Sequence, residues 1–119
     1  MLELLPFIGA CLTLALGIIG LVAPDFTAGL VRISARTHPA TEEFRATYGG
    51  LFIGLALVPL LTGADAAYLT VGAAWVCAAA GRIVSIVLDW FGAQRLSWKN
   101  WLAVGFEGGI GLLCLAVLV

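Results

Sequence analysis

The sequence predicts an all-α integral membrane protein: an antiparallel four-helix bundle with a short interfacial helix between helices 1 and 2. Of its 119 residues, 62% are hydrophobic and 11% are charged, and the mean hydropathy is +1.10. A soluble domain of this size could not bury so much apolar surface. Four apolar stretches approach the roughly 17–25 residues that a crossing helix needs, and none alternates with the period of a barrel strand. We therefore expect one transmembrane domain, residues 1–119.

The four spans follow from these apolar runs and from the residues that end them. We read the first as a retained helix rather than a secretion signal, because Glu3 is the only charged side chain before it. Pro24 closes this span. Gly63-Ala64-Asp65 indicates a helix stop followed by an N-cap at Asp65, and Ser97 is the predicted cap of the last span. The predicted spans are approximately 4–22, 46–61, 66–88 and 100–119.

The segment of approximately residues 25–36 predicts a short helix lying in the membrane interface. Phe26, Leu30 and Ile33 share one face of this helix, and Arg32 and Arg36 lie on another. Long arginine side chains can reach lipid phosphates from such a position.

The basic side chains predict the orientation. All six can be placed on one side of a four-span topology, in or beside the segments 25–44 and 89–99. By the positive-inside rule these segments are cytoplasmic, and both termini face the periplasm or exterior. The six are Arg32, Arg36, Arg45, Arg82, Arg95 and Lys99.

Two charged residues interrupt the predicted spans. Arg82 precedes Asp89 by seven residues, and Glu107 follows Asn100 by seven. At about 1.5 Å per residue, both lie roughly 10 Å from the cytoplasmic ends of consecutive antiparallel helices. An ionisable residue at a helix centre costs about 2.5–3.5 kcal/mol on insertion scales. We therefore expect an intramembrane ion pair between Arg82 and Glu107.

Helical spacing extends this polar cluster along neighbouring helices. Trp75, Arg82, Ser85 and Asp89 form one stripe on the third span, since they are separated by three, four or seven residues. We expect the polar faces to meet in a cavity in the cytoplasmic half of the bundle. The candidate ligand-binding residues are Arg45, Tyr48, Trp75, Arg82, Ser85, Asp89 and Glu107. The competing reading is structural: an ion pair that fixes the register of two helices.

Small residues suggest where helices approach one another. Gly50 and Gly54, and likewise Gly105 and Gly109, are four residues apart. Such spacing permits close packing of helices in lipid. We leave open a homodimer through these glycine-rich faces. A further ridge is formed by Gly9, Thr13, Gly17 and Gly20.

Several functions lack any signal in the sequence. His38 is the single histidine and lies in a predicted loop, so we assign no metal site, no cofactor and no catalytic residue. Near-neutral charge argues against nucleic acid as a partner. Cys11, Cys77 and Cys114 show no Cys-x-x-Cys spacing, and we interpret them as small packing residues.

The motifs together resemble a known family. They are the run Glu43-Phe44-Arg45-Ala46-Thr47-Tyr48-Gly49-Gly50, the pair Gly81-Arg82 followed by Ser85 and Asp89, and a lone glutamate in the last span. They are similar to small bacterial membrane proteins grouped as a domain of unknown function, number 4345. The resemblance covers essentially the whole chain and implies four spans in a bacterial inner membrane. It implies no activity. Trp90 stands where the resemblance leads us to expect glycine.

Three function classes follow from these patterns. The first is a binding or accessory module for a membrane lipid or other lipophilic small molecule. The second is an oligomeric proton-coupled transporter, and the third is a membrane enzyme acting on an isoprenoid or sterol-like substrate. We favour the first, because polar residues are confined to one half of the bundle and catalysis would need a second deep carboxylate or a histidine.

Overall fold

The computed structural model of the chain describes residues 1–31, 42–92 and 98–119. Among these residues 92% are helical and no strand occurs. The helices are α1 (Leu4–Val22), α2 (Pro24–Val31), α3 (Glu42–Thr62), α4 (Asp65–Phe91) and α5 (Trp98–Leu115), followed by a 3₁₀ turn at Ala116–Leu118.

Four of these helices are long and apolar enough to cross a membrane. They cover Leu4–Val22, Glu42–Thr62, Asp65–Leu88 and Asn100–Leu118. The predicted all-α fold with four membrane-capable helices and a short helix after the first is therefore confirmed. The second span begins at Glu42 rather than at the predicted residue 46, and α4 continues past the predicted end at residue 88 to Phe91. His38, Pro39 and Ser97 lie outside the described residues.

The chain divides into two compact units. One is Ala10–Gly63, which we call the α1–α3 unit; the other combines Met1–Gly9 with Ala64–Val119, which we call the α4–α5 unit.

Within the α1–α3 unit, α1 and α3 run antiparallel with their backbones in close approach. A Cβ atom added at Gly17 would lie 2.8 Å from the backbone nitrogen of Ile53. One added at Gly20, a turn later, would collide with the carbonyl oxygen of Tyr48. Residue numbers therefore rise along α1 as those of their partners in α3 fall. The close packing predicted for this glycine ridge is confirmed at both positions.

The first part of α3 is not a regular α-helix. Arg45–Leu51 forms a π-helix within the membrane-capable span, a feature that the sequence analysis did not predict. In this wider coil the backbone of Gly49 lies against α1: a Cβ atom added there would be 3.0 Å from the Cα of Leu21. The π-helical conformation occurs where α3 contacts α1. Local sequence preference does not require it, since the same residue types also form α-helix.

The short helix α2 begins with Pro24, a residue suited to the first turn because its missing N–H has no helical acceptor. Thr27 donates both its backbone N–H and its hydroxyl to the carbonyl of Ala23, at 3.1 Å each. Ala28 is buried with Phe44 of α3, whereas Phe26 is exposed. Residues 32–36 of the predicted interfacial helix lie outside the described residues.

A tight turn separates α3 from α4. Gly63 adopts the left-handed conformation, with φ at 65°, and its N–H donates to the carbonyl of Pro59 at 2.8 Å. The carbonyl of Ala64 accepts the first hydrogen bonds of α4, from Ala67 and Tyr68. The predicted stop at Gly63 is confirmed, but the cap position is Ala64 and Asp65 lies in the first helical turn. Its carboxylate still faces the favourable positive end of the helix dipole.

The α4–α5 unit is closely packed at the end where α4 begins. A Cβ atom added at Gly72 would lie 3.0 Å from the carbonyl oxygen of Gly111, and one at Gly111 would lie 2.7 Å from Val76. The start of α1 joins this end, because a Cβ at Gly9 would lie 2.6 Å from the sulfur of Cys114. Both chain termini are therefore near the same end of this unit.

Glycines with the predicted dimer spacing take no part in these close contacts. Atoms added at Gly54, Gly105 or Gly109 would meet nothing described within 4 Å, and all three residues are exposed. Their use in a homodimer remains a prediction.

We expect Gly20→Ala to lower the free energy of unfolding by about 1–3 kcal/mol, because its methyl group collides with backbone rather than with a movable side chain. Gly54→Ala is the matched control: it has open space on α3, and we expect it to be neutral or stabilising by up to about 1 kcal/mol. Thermal unfolding in detergent would measure both. Equal effects of the two substitutions would contradict the close contact of α1 with α3.

Candidate ion-pair site

The central feature of the α4–α5 unit is a bidentate contact between Arg82 and Glu107. Nε of Arg82 donates to Oε2 of Glu107 at 3.0 Å, and Nη2 donates to Oε1 at 2.6 Å. Paired charge-assisted bonds of this kind are among the stronger polar contacts in proteins. The contact predicted between these two side chains from their equal distance to the helix ends is present.

Helix register explains why the two side chains meet. The antiparallel pair brings Gly72 to Gly111, then Ala79 to Gly108, and then Arg82 to Glu107. The ion pair therefore continues a single line of contact along the facing sides of α4 and α5. With α4 and α5 aligned in a different register, Arg82 and Glu107 would not face each other.

On the α5 side, burial decreases along this line toward the ion pair, whereas Ile86 of α4, one turn beyond Arg82, is buried. At one end of the unit Val71, Trp75, Ile110 and Cys114 are buried. At the other end no described residue from 98 to 109 of α5 is buried, and a Cβ at Gly108 would only just reach Ala79, at 4.0 Å. The half-buried residues described in this stretch of α5 are Asn100, Ala103, Val104, Glu107 and Gly108.

The two charged side chains are shielded unequally. The side chain of Arg82 is 31% exposed, whereas that of Glu107 is 12% exposed. The side chain of Glu107 is therefore mostly covered by protein, whereas about a third of the side chain of Arg82 lies at the protein surface.

The other predicted site residues on α4 are placed differently from one another. Trp75 is buried in the closely packed end, and Ser85 is exposed one turn beyond Arg82. Asp89 belongs to α4, but its side chain lies outside the described residues. The structure thus joins Arg82 with Glu107 and leaves the rest of the stripe as neighbours along one helix.

Arg45 and Tyr48 belong to the α1–α3 unit and have contacts within it. Nε of Arg45 donates to the carbonyl of Leu21 at 3.3 Å, which satisfies one of the last carbonyls of α1. Tyr48 stacks on Phe44, with ring centroids 4.4 Å apart, and meets Phe52 edge-on at 5.8 Å. The sequence did not predict the bond to Leu21, because which helix end an arginine reaches depends on tertiary packing. A common site with Arg82 and Glu107 stays a prediction.

Other reactive groups of the described chain form no cluster. Among the described residues no group of three or more His, Cys, Asp or Glu side chains is placed to hold a metal ion. Cys11, Cys77 and Cys114 are free thiols. Cys114 is buried, as a packing role requires, but Cys77 is exposed, which makes it an exception to that interpretation.

Comparison with known proteins identifies the family. Residues 1–118 match the family described as Domain of unknown function (DUF4345). The chain belongs to this family. The resemblance read from the sequence is thereby confirmed. No curated protein and no solved structure matches the chain.

The motifs that indicated DUF4345 are also the structurally unusual parts of this chain. The run from Arg45 to Gly50 lies in the π-helix, where it meets the end of α1. The pair Gly81-Arg82 and the lone glutamate of α5 supply the ion pair. In this DUF4345 protein, Trp90 and Phe91 extend α4, and the N–H of Gly92 donates to the carbonyl of Leu88 at 2.9 Å.

A double-mutant cycle tests the ion pair. Arg82→Gln and Glu107→Gln each leave one charge without its partner, so each should lower the free energy of unfolding. Restoring neutrality in the double variant should recover part of the loss, with a coupling energy of about 1–2 kcal/mol. Unfolding in detergent measures all three variants. Strictly additive effects would show that the contact contributes nothing to stability.

Proposed function

We propose that this DUF4345 protein is a multi-pass membrane protein that binds a lipid or other amphiphilic small molecule beside Arg82 and Glu107. The observation that carries the proposal is a partly exposed charged pair on two apolar helices, beside a stretch of α5, residues 98–109, in which no described residue is buried. An amphiphile offers both the polar head and the apolar tail that such a place can accommodate.

The energetics of a bilayer support this proposal. Either charge by itself would cost about 2.5–3.5 kcal/mol at the centre of a crossing helix. Pairing offsets much of that cost, but the pair is not sealed, because nearly a third of the Arg82 side chain is exposed.

The proposal includes a location. We place the chain in a bacterial inner membrane, as the sequence resemblance implies, with the 25–44 and 89–99 segments on the cytoplasmic side. The binding site then lies in the cytoplasmic half of the membrane. Both termini lie on the periplasmic side.

The two alternatives receive less support from the described residues. A transport path between α4 and α5 would have to pass the end where Gly72 meets Gly111 and Trp75 is buried. An enzyme using Glu107 as a general acid or base would have to release it from two hydrogen bonds. We therefore favour a binding or accessory role over catalysis.

Lipid retained through purification tests the proposal. We expect mass spectrometry of the purified protein to find a bound amphiphile, and we expect the Arg82→Gln/Glu107→Gln double variant to lose most of it. Gly72→Ala is the matched control, because it disturbs the closely packed end without touching the ion pair. It should lose stability and keep the amphiphile.

The result that would contradict the proposal is equally specific. If the double variant is less stable yet retains as much amphiphile as the unaltered protein, Arg82 and Glu107 are a scaffold and not a binding site.

A further inference from the structure

Charged side chains of the α1–α3 unit lie where the end of α1 meets the beginning of α3. We propose that Arg45 and Glu42 bind the headgroup of a zwitterionic phospholipid with a primary ammonium, such as phosphatidylethanolamine. Arg45 holds the phosphate of this lipid and Glu42 holds its ammonium. Neither residue belongs to the Arg82–Glu107 ion pair, so this site and the proposed function can fail separately.

Arg45 lies at the boundary of two membrane-capable helices. The first of these helices ends at Val22, and the second begins at Glu42. Nε of Arg45 donates to the carbonyl of Leu21 at 3.3 Å, so both helix ends lie at the same level. In a bilayer this level is that of the lipid headgroups, where a long arginine side chain can reach phosphate.

The bond to Leu21 leaves one edge of the guanidinium available. Arg45 is exposed, and its side chain makes no further polar contact with the described residues. Nη1 and Nη2 together form the fork that binds two oxygens of a phosphate. The bond from Nε also restricts the orientation of the guanidinium, which reduces the conformational entropy lost when a ligand binds.

Glu42 provides an acceptor one helical turn before Arg45. Residues 42–44 are α-helical, and Phe44 has the dihedral angles of an α-helix, so side chains three positions apart share a face. Glu42 and Arg45 are both exposed, and these two described side chains form no ion pair with each other. A carboxylate and a guanidinium are therefore available side by side, which matches the two charges of a zwitterionic headgroup.

The order of these groups across the membrane matches the order of groups in a phospholipid. At about 1.5 Å per residue, Glu42 lies roughly 4–5 Å farther out than Arg45. In phosphatidylethanolamine the phosphate likewise lies between the ammonium and the acyl chains. Apolar surface for an acyl chain adjoins Arg45 on its inner side, because Leu21 and Ile18 of α1 are 45% and 47% exposed.

Hydrogen-bonding chemistry decides the type of headgroup. A primary ammonium has three N–H donors for a carboxylate, whereas the quaternary ammonium of phosphatidylcholine has none. The neighbouring aromatic side chains do not form a cage for a quaternary ammonium, because Phe44 is buried and Tyr48 stacks on it. Phosphatidylglycerol has no cation and would leave Glu42 without a partner of opposite charge.

Binding of three labelled lipids tests the inference. The probes are phosphatidylethanolamine, phosphatidylcholine and phosphatidylglycerol with the same tails and the same acyl-chain fluorophore, titrated in a nonionic detergent at neutral pH. We expect the unaltered protein to bind phosphatidylethanolamine about threefold to tenfold more tightly than either other lipid, as one additional hydrogen-bonded contact would give. The Arg82→Gln/Glu107→Gln double variant should keep this preference.

Two adjacent carboxylates supply a matched pair of variants. Glu42→Gln should lower the ratio of phosphatidylethanolamine to phosphatidylglycerol affinity by about threefold or more. Glu43→Gln makes the same change on an exposed residue that does not share the face of Arg45, and it should leave the ratio unchanged. Neither glutamate makes a hydrogen bond among the described residues, so both variants should fold.

Arg45→Gln tests the phosphate contact. Because all three lipids contain phosphate, this variant should weaken the binding of each of them. Arg45→Lys keeps the positive charge and should recover part of the affinity, which separates loss of binding from loss of folding. Glycerophosphoethanolamine, the soluble form of the headgroup, should not displace the labelled lipid.

Each contrary result overturns a distinct part. Equal binding of the three lipids, or an equal fall of the ratio in Glu42→Gln and Glu43→Gln, overturns the role of Glu42. Binding that Arg45→Gln leaves unchanged overturns the site. Displacement by glycerophosphoethanolamine assigns the site to a soluble phosphate ester and overturns the lipid. A preference that disappears in the Arg82→Gln/Glu107→Gln double variant belongs to the ion pair, and it overturns this site while the proposed function stands.

Discussion

Two opposite charges at the same level of neighbouring apolar helices are the constraint on which the α4–α5 unit depends. Both helices are long and apolar enough to cross a membrane, and on such a helix a charge is costly unless a partner of opposite sign is close. Their bidentate contact also selects one register of α4 against α5, since sliding either helix by one residue would turn one charge away from its partner. Register selection is a recognised role of buried polar groups.

Close glycine packing and loose polar packing occur at opposite ends of the same helix pair. Where Gly72 meets Gly111 the two backbones nearly touch, and dispersion contacts hold the helices together. Toward Arg82 the two helices are joined by the Arg82–Glu107 ion pair, and no described residue of α5 from 98 to 109 is buried. The two ends of this helix pair therefore differ in how closely the two backbones approach.

Much of this arrangement could be predicted from the sequence. The apolar runs predicted the four membrane-capable helices, and the glycine at position 63 predicted the end of α3. The equal distance of Arg82 and Glu107 from the ends of their helices was enough to predict their contact. Each of these features depends on local composition or on simple helix geometry.

What could not be predicted depends on contacts between distant residues. The π-helix at Arg45–Leu51 accompanies contact with the end of α1, and the bond from Arg45 to Leu21 joins residues 24 positions apart. The signal that was available is the Gly49-Gly50 pair beside Tyr48, but glycine pairs occur equally in regular helices in membranes. Likewise, spacing alone could not distinguish Gly17 and Gly20, which pack closely, from Gly105 and Gly109, which are exposed.

The most direct test of this account is the distance between the two charges in a lipid bilayer. Solid-state NMR of the protein in liposomes can measure the dipolar coupling between the labelled guanidinium nitrogens of Arg82 and the carboxyl carbon of Glu107. The account predicts the strong coupling of hydrogen-bonded groups, as Nη2 lies 2.6 Å from Oε1. A coupling too weak for direct contact, with the guanidinium turned toward lipid, would contradict it.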